Sequence, residues 1–443
     1  MLIATAVAAA LTYLPAGAHA AAASSDDLVE IRQQLQGLMQ RVDKLEQENT
    51  TLKTENEDLK SQTDYLKAET RGLRKDSSTA ATDIAKVKGA DWAGRVTVKG
   101  DMRYRHEEIK DDTANALGVL STDDRYRDRI RARIGIEAKA TDTLLVGIGM
   151  TTTEGGDPRS GNQSLTGQFS KKSLDLDLAY FDWKFSSWGN LIGGKMKQPF
   201  FKPGQSVFWD NDITPEGLAV NFSSGLLFGT AYGFWINEVS GASNTQTADT
   251  QLFGGQVGVR LPIGASTLVL AGSYSDLAAG QGRAPFFGAN SNGNTTITVG
   301  GAAVLRDDYR IADLSAEFNA MLGAWPLQLW ADFAQNQAAD DLDTAWVAGV
   351  LFGKASNYKT WEFGVAYEKL EKNALFGQLI DSDFGGGVTD VKGFTLRAGY
   401  APVKNWTLNA TYFLNERNID VANAFGLKGV DYDRLQLDFN AKF

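Results

Sequence analysis

Arginine recurs at every second position of the stretch RYRDRIRARIGIEAKA, residues 125–140. Guanidinium groups stay positively charged at physiological pH and bind carboxylates and other anions through paired hydrogen bonds. From Ile130 onward the intervening positions are apolar. Strict alternation places the two sets on opposite faces of a β-strand, whereas a helix would scatter the charge around its surface. The stretch therefore predicts a strand with an apolar face and an anion-binding face. We call Arg127, Arg129, Arg131 and Arg133 the arginine ladder.

Further charged residues could act together with the arginine ladder. The additional basic residues are Lys99, Arg103, Arg105, Lys195 and Lys197. Like charges two residues apart on a strand lie only ~7 Å from each other, so carboxylates must offset their repulsion. The segment KQPFFKPGQSVFWDNDITPEG (197–217) supplies Asp210, Asp212 and Glu216. We expect this segment to fold inward opposite the ladder and to set a transverse field; the alternative is an external loop.

The composition gives no basis for a catalytic site. Cysteine is absent, which excludes a thiolate nucleophile, a disulfide and a cysteine metal site. The two histidines are His19 and His106, and the latter lies among Arg105 and Glu107 at a strand end, as expected of a solvated residue. Acidic clusters such as 340–343 could hold Ca²⁺, but hydrated loop residues are the simpler interpretation. We predict no enzyme, cofactor or metal site. The net charge of −10 also gives no reason to expect nucleic acid as a partner.

Alternation of polar and apolar residues continues from residue 92 to the chain end at 443. Each stretch is near the 9–11 residues that a tilted strand needs to cross a bilayer. The pattern predicts an all-β transmembrane barrel of about sixteen antiparallel strands, wide enough for an aqueous channel. The predicted strands are 95–107, 125–140, 143–153, 172–185, 188–198, 216–223, 226–238, 251–261, 266–276, 308–320, 325–335, 344–353, 359–369, 391–401, 404–416 and 431–443.

The lengths of the predicted connections support a membrane location. Short turns, such as 186–187 and 402–403, alternate with longer loops, such as 199–215 and 370–390. Outer-membrane barrels show this asymmetry, with short periplasmic turns and longer external loops. A soluble sandwich has no reason to show it.

The N-terminal region has a different organisation. Residues 1–20 are mostly apolar and end in Ala18-His19-Ala20, which is typical of a signal peptide, although a membrane anchor is the alternative. A short segment, 21–27, precedes a heptad pattern over 28–75, with leucine at one core position in nearly every heptad. This spacing predicts a coiled coil and hence self-association. Asn49 and Asn56 at core positions would fix its register, and residues 76–91 are predicted as the linker.

Two local motifs and the overall arrangement resemble known families. The alternating terminal strand with its final Phe443 resembles the C-terminal assembly signal of Gram-negative outer-membrane proteins, which the barrel insertion machinery reads. The stretch GGKMKQPFFKPG (193–204) is similar to the G-K-x-K-x-P-F-G region of phosphate-selective porins, with Phe201 where glycine is expected. As a whole, the chain resembles Gram-negative outer-membrane porins that carry an N-terminal coiled coil. This resemblance implies a homotrimeric diffusion channel.

Three functional hypotheses follow from these patterns. The first is a general porin for small hydrophilic solutes, and the second is a porin with modest anion preference due to the ladder. The third is a structural anchor in the outer membrane whose periplasmic coiled coil tethers it to the cell wall, with peptidoglycan as a partner. In each case the barrel would contact lipid and lipopolysaccharide, and the coiled coil would act as a trimerisation stalk, a spacer or a tether.

Overall fold

The computed structural model describes residues 25–86, 93–113, 124–240, 249–287 and 290–443. The chain divides into two units, Met1–Asp91 and Trp92–Phe443. The predicted signal peptide at 1–20 lies outside the described residues, and so do residues 87–91 of the predicted linker and residue 92.

The first unit contains helix α1, Ser25–Lys86. Its heptad leucines, among them Leu45, Leu52 and Leu59, are exposed along the helix. The helix continues beyond the predicted coiled-coil end at 75 into the predicted linker, because residues 76–88 contain alanines and neither glycine nor proline. No helix in the described part of the chain is long and apolar enough to cross a membrane. The helix is thus observed, while its pairing in a coiled coil stays a prediction.

We expect a peptide of residues 25–86 to associate, because its leucine stripe has no partner within the helix itself. Its helicity should rise with concentration in circular dichroism, and sedimentation should show an oligomer. Replacing Asn49 and Asn56 by Val should raise the melting temperature, since buried asparagines at core positions cost stability. A peptide that stays monomeric and unfolded at millimolar concentration would contradict the coiled coil.

The second unit is a β-barrel. In chain order its strands are β1 (Val96–Asp111), β2 (Arg125–Lys139), β3 (Leu144–Thr152), β4 (Gln163–Ser164), β5 (Leu174–Ser186), β6 (Gly189–Lys195), β7 (Glu216–Ser224), β8 (Leu227–Asn237), β9 (Thr250–Ile263), β10 (Ser266–Ala278), β11 (Thr296–Val299), β12 (Ala302–Leu305), β13 (Tyr309–Leu322), β14 (Trp325–Asn336), β15 (Thr344–Gly353), β16 (Thr360–Leu370), β17 (Val391–Val403), β18 (Trp406–Arg417) and β19 (Val430–Lys442).

Sixteen of these strands, in the described residues, close into one antiparallel barrel. The short strands β4, β11 and β12 belong to loops, and all other strands pair with their neighbours in sequence. Closure comes from β1, which pairs with β2 on one side and with β19 on the other. The sixteen-strand prediction is confirmed, with shifted ends: β1 extends to Asp111, and β6 ends at Lys195.

The two faces of each strand differ as the alternation predicts. On β2, Ile134 and Ile136 are exposed on the outer face, whereas Arg129 and Arg131 are buried inside. Leu314 and Trp361 are exposed on the outer faces of β13 and β16. An apolar outer face is what a lipid environment requires, since lipid offers no hydrogen bonds to polar groups.

Two long loops lie inside the barrel. We call residues 196–215, between β6 and β7, inward loop 1, and residues 371–390, between β16 and β17, inward loop 2. Val207 and Phe208 of loop 1 pack with Leu375 and Ile380 of loop 2 in a buried apolar cluster, which also includes wall residues such as Trp330. One side of the lumen is therefore filled, which the sequence did not predict for residues 371–390.

Candidate pore constriction

Inward loop 1 contacts the barrel wall on several strands. The Phe201 backbone N–H donates to Gln256 Oε1 of β9 (2.8 Å), and the Ser206 hydroxyl donates to Asp332 Oδ2 of β14 (2.6 Å). Asp212, near the end of the loop, forms an ion pair with Arg131 of β2 (3.2 Å). Because these strands lie in different parts of the wall, the loop must cross the lumen to reach them.

A glycine allows the close approach of inward loop 1 to the wall. Gly204 has a left-handed backbone with φ of 49°, and a Cβ at this position would come within 2.2 Å of the Trp330 ring. Its N–H donates to Glu317 Oε2 at 2.7 Å. Glycine is the residue that adopts such a backbone without steric cost and leaves room for the indole.

The two inward loops bind each other through their backbones. Asp210 N–H donates to the Leu379 carbonyl (2.8 Å), and Asp381 N–H donates to the Val207 carbonyl (2.9 Å). Ser382 N–H donates to Asp210 Oδ2 at 2.8 Å. These bonds hold the two loops as one structure inside the barrel.

Two aspartates neutralise Arg131 and Arg133, the half of the arginine ladder nearer the end of β2. Arg131 and Arg133 pair with Asp101 of β1, at 3.1 and 2.8 Å, and with Asp212, at 3.2 and 3.4 Å. Burial would raise the pKa of Asp212, but Arg131, Arg103 and Arg133 hold this pKa below its usual range. Asp212 is thus a permanent negative charge in direct contact with the ladder.

The other half of the ladder belongs to a buried ion network. Glu107 accepts from Arg127 and from Arg434, the latter at 2.5 Å, and Arg129 lies 3.8 Å from it. Arg105 pairs with Asp438 (2.6 Å). Asp383 of inward loop 2 pairs with Arg105 and Arg434, at 2.9 and 2.8 Å. Carboxylates of neighbouring strands and of inward loop 2 therefore offset much of the repulsion between the arginines. The sequence predicts only the carboxylates of residues 197–217 in this role.

Some of these partners could have been found from the sequence. Asp101 and Glu107 have the same inward-facing parity as Arg103 and Arg105 on β1. Arg434 and Asp438 likewise share the inward-facing parity on β19. Asp383 could not have been found from the sequence, because it lies in an irregular loop where no periodicity indicates the orientation of a side chain.

The structure places the three predicted acidic residues in different surroundings. Asp212 lies against the ladder and accepts a hydrogen bond from Arg131. Asp210 faces inward loop 2 instead, and burial, with the nearby carboxylates of Asp381 and Asp212, raises the pKa of Asp210 well above its usual range. Glu216 is the first residue of β7, largely exposed, and pairs with Lys195 at 3.0 Å.

The remaining predicted residues have distinct positions. Arg103 donates to Asn162 Oδ1 at 2.6 Å. Lys99 pairs with Glu137 at 2.7 Å, and Lys197 is exposed. Arg125 is exposed at the start of β2. His106 lies on the outer face, where its Nδ1 is 2.9 Å from Asp128 Oδ1.

Two cavities adjoin inward loop 1. The turn-side cavity, about 710 Å³, is lined by charged residues that include Lys99, Asp101, Arg133, Lys197 and Lys202, and also by apolar residues of β2 such as Ile134. The loop-side cavity, about 330 Å³, is lined by Arg103, Arg105 and Asp383 among others. Asn211 and Asp212 line both cavities. The boundary between the cavities is therefore formed by these two residues together with the ladder.

Lys202 of inward loop 1 gives this boundary a titratable charge. Its Nζ donates to Asn211 Oδ1 (2.7 Å) and to the Trp209 carbonyl (3.0 Å), and burial lowers the pKa of Lys202 to about 8. A lysine with a lowered pKa is charged below that value and neutral above it. If ions pass this boundary, raising the pH from 6.5 to 9.5 removes this positive charge. The reversal potential measured in a KCl gradient should then shift toward the potassium equilibrium potential.

The lysine variants test this pH dependence. Lys202→Arg should keep the low-pH potential throughout, since guanidinium does not titrate in this range. Lys202→Met should show the high-pH potential throughout. Titration of Lys202→Arg with the wild-type midpoint would show that another group is responsible.

The chain belongs to the family described as "Putative porin", whose model matches residues 118–300 and 295–443. Among solved structures, the chain is similar to OprB of Pseudomonas putida, with 13% identity and a TM-score of 0.51 over 79% of this chain and 94% of that one. OmpF of Salmonella typhi, solved with daunomycin, has 15% identity and a TM-score of 0.47 over 79% and 97%. At such identity, the OprB likeness establishes the fold alone. No curated protein matches the sequence.

Proposed function

We propose that this porin is a water-filled diffusion channel for small hydrophilic solutes, with a modest preference for anions. The observation that carries the proposal is that two cavities lined by charged residues meet at Asn211 and Asp212. In this proposal solutes pass between inward loop 1 and the arginine ladder. In this proposal the wall supplies charge and hydrogen bonds to passing solutes, and no enzymatic reaction is included.

The anion preference follows from the charges at the boundary. Arg103, Arg131, Arg133 and Lys202 are basic there, whereas Asp101 and Asp212 are the acidic partners of the ladder. Most of these charges cancel in pairs, so the remaining field is positive but small. Screening by salt should weaken it further, because the Debye length falls to about 3 Å at 1 M.

Reversal potentials in planar bilayers test this proposal. With a tenfold KCl gradient centred near 0.1 M, the full-length protein should conduct. Its reversal potential should lie between zero and the chloride equilibrium potential. The potential should approach zero when both solutions contain more than 1 M salt. A channel that prefers potassium at low salt would contradict the anion preference without contradicting the channel.

The compartment and assembly are further parts of the proposal. Export would use a signal peptide at 1–20, and the terminal Phe443 would serve as the assembly signal for the insertion machinery. The coiled coil over 28–75 would lie in the periplasm, because the barrel begins at its short-turn end, which faces the periplasm in outer-membrane barrels. Homotrimers would form through this coiled coil and through the barrels, in contact with lipid and lipopolysaccharide.

A structural anchor is the second candidate function. The apolar packing of both inward loops against Trp330 and neighbouring wall residues favours it, because this packing fills part of the lumen. In this alternative the helical unit would bind peptidoglycan and the barrel would conduct no ions. Bilayer recordings separate the two functions, since an anchor should insert without conductance while remaining folded in the membrane.

A further inference from the structure

The loop-side cavity contains two guanidinium groups that differ from the rest of the basic wall. Arg103 donates through Nε and Nη2 to Asn162 Oδ1, and Arg397 of β17 donates to Gln205 Oε1 of inward loop 1. In the described part of the chain, neither has a carboxylate within ion-pair distance, whereas Arg105 and Arg131 both do. Their hydrogen-bond acceptors are neutral amides, and the carboxylates of Asp212 and Asp438 act on Arg103 only from beyond ion-pair distance.

These two arginines approach the cavity from separate strands. The wall here runs through β17, β18, β19 and β1, and all four strands contribute lining residues. Three strand spacings separate the Arg397 and Arg103 backbones, roughly 14 Å at the usual interstrand distance. Both side chains line the cavity, so a small molecule bound there can lie between the two strands that carry them.

The rest of the lining restricts which anion fits. Asn409, Thr411 and Gln436 provide neutral polar groups, and the Asn409 Oδ1 atom is buried without a hydrogen-bond partner among the described residues. Six carboxylates also line the cavity, those of Asp210, Asp212, Glu362, Asp381, Asp383 and Asp438. These carboxylates would repel the second charge of a dianion such as phosphate. The volume of about 330 Å³ is at the lower end of small-molecule sites and exceeds what a single halide ion needs.

We propose that the loop-side cavity is a binding subsite for small monocarboxylates, with the solute carboxylate on the Arg103 guanidinium. A guanidinium matches a carboxylate through two parallel N–H···O bonds, which a lysine cannot reproduce. The inference rests on the proposed channel function, because it names the solute class that the channel binds on its path. Bound solute would occupy the space next to Asp212 and would hinder chloride.

Partial block of the chloride current tests the subsite. Potassium propionate, added at millimolar concentration to full-length protein in planar bilayers, should reduce the KCl current in a saturable manner. Arg103→Gln should raise the half-blocking concentration at least tenfold, and Arg103→Lys should give an intermediate value. Arg310→Gln, which removes an exposed arginine at the start of β13, should leave the block unchanged. Inorganic phosphate should block more weakly than propionate.

Each result supports or overturns the inference. Block that is unaffected by Arg103→Gln, or phosphate block stronger than propionate block, would overturn it while the channel function stands. If the wild type does not conduct, the channel function fails. Calorimetry with potassium propionate on detergent-solubilised protein then decides the subsite: heat that is lost in a folded Arg103→Gln protein supports it, and no heat in the wild type overturns it.

Discussion

Replacing Asp212 by Asn should make the channel about fivefold more selective for chloride over potassium. Asp212 contacts Arg131 and Arg133 at the boundary between the two cavities, so its loss leaves two guanidinium groups less neutralised. One unit charge acting over 4 Å in water contributes about 1 kcal/mol, which is a factor of about five in ion partitioning before screening. The reversal potential across a tenfold KCl gradient at low salt measures the change.

Two other acidic residues serve as matched controls for Asp212. Asp210→Asn should change selectivity little, because its carboxylate accepts from Ser382 N–H of inward loop 2 and forms no ion pair with the ladder among the described residues. Glu216→Gln should also change it little, because that carboxylate is exposed and pairs with Lys195 away from the boundary. An Asp212→Asn channel with wild-type selectivity, or Asp210→Asn with the larger shift, would contradict this account of the boundary.

Replacing Glu107 by Gln should destabilise the barrel by about 3–5 kcal/mol, the usual cost of leaving buried charges without their partner. The Glu107 side chain is fully buried and accepts from Arg127, from Arg434 at 2.5 Å and from Gln436 at 3.1 Å. Glutamine has a similar size but no charge. Removal would leave Arg434 with Asp383 as its remaining carboxylate partner among the described residues.

The neighbouring residue provides a control for this stability effect. Glu108 lies on the opposite face of β1 and pairs with Lys110 at 3.4 Å near the surface. Exposed ion pairs contribute about 0–1 kcal/mol, so Glu108→Gln should unfold close to the wild type. The urea midpoint, followed through the mobility difference between folded and heated protein on gels, measures both variants. Equal midpoints for the two variants would show that Glu107 does not stabilise the barrel.

The sequence predicted the barrel well because its periodicity reports a physical requirement. Apolar side chains such as Ile134 and Leu314 must face lipid, and their neighbours along each strand must face inward, so orientation repeats every two residues. The alternation of short and long connections also predicted that one end of the barrel carries the short turns and the other end the long loops. Strand ends were less accurate, as at Asp111 and Lys195, because pairing can extend past the membrane or stop early without changing the alternation.

The candidate site was predicted only in part. Arg131, Arg133 and Asp212 are brought together, since parity fixed the arginines and inward loop 1 carries the aspartate. The filling of the lumen by inward loop 2 could not be predicted, because contacts such as Asp381 N–H to the Val207 carbonyl depend on the folded path of irregular backbone. The position of Asp210 could not be predicted for the same reason: the sequence does not indicate whether a loop carboxylate faces the bore or the neighbouring loop.

In the proposed channel ions pass Asn211 and Asp212, and a single cysteine tests this path most directly. The chain has no cysteine, so Asn211→Cys adds one thiol to an otherwise inert protein. Labelling with a sulfonate-bearing thiosulfonate places a negative charge at the boundary. Thr141→Cys, exposed in the turn between β2 and β3, is the matched control. We predict that labelled Asn211→Cys loses conductance and shifts toward potassium selectivity, while labelled Thr141→Cys does neither. Fully labelled Asn211→Cys with unchanged conductance and selectivity would place the path elsewhere and contradict the account.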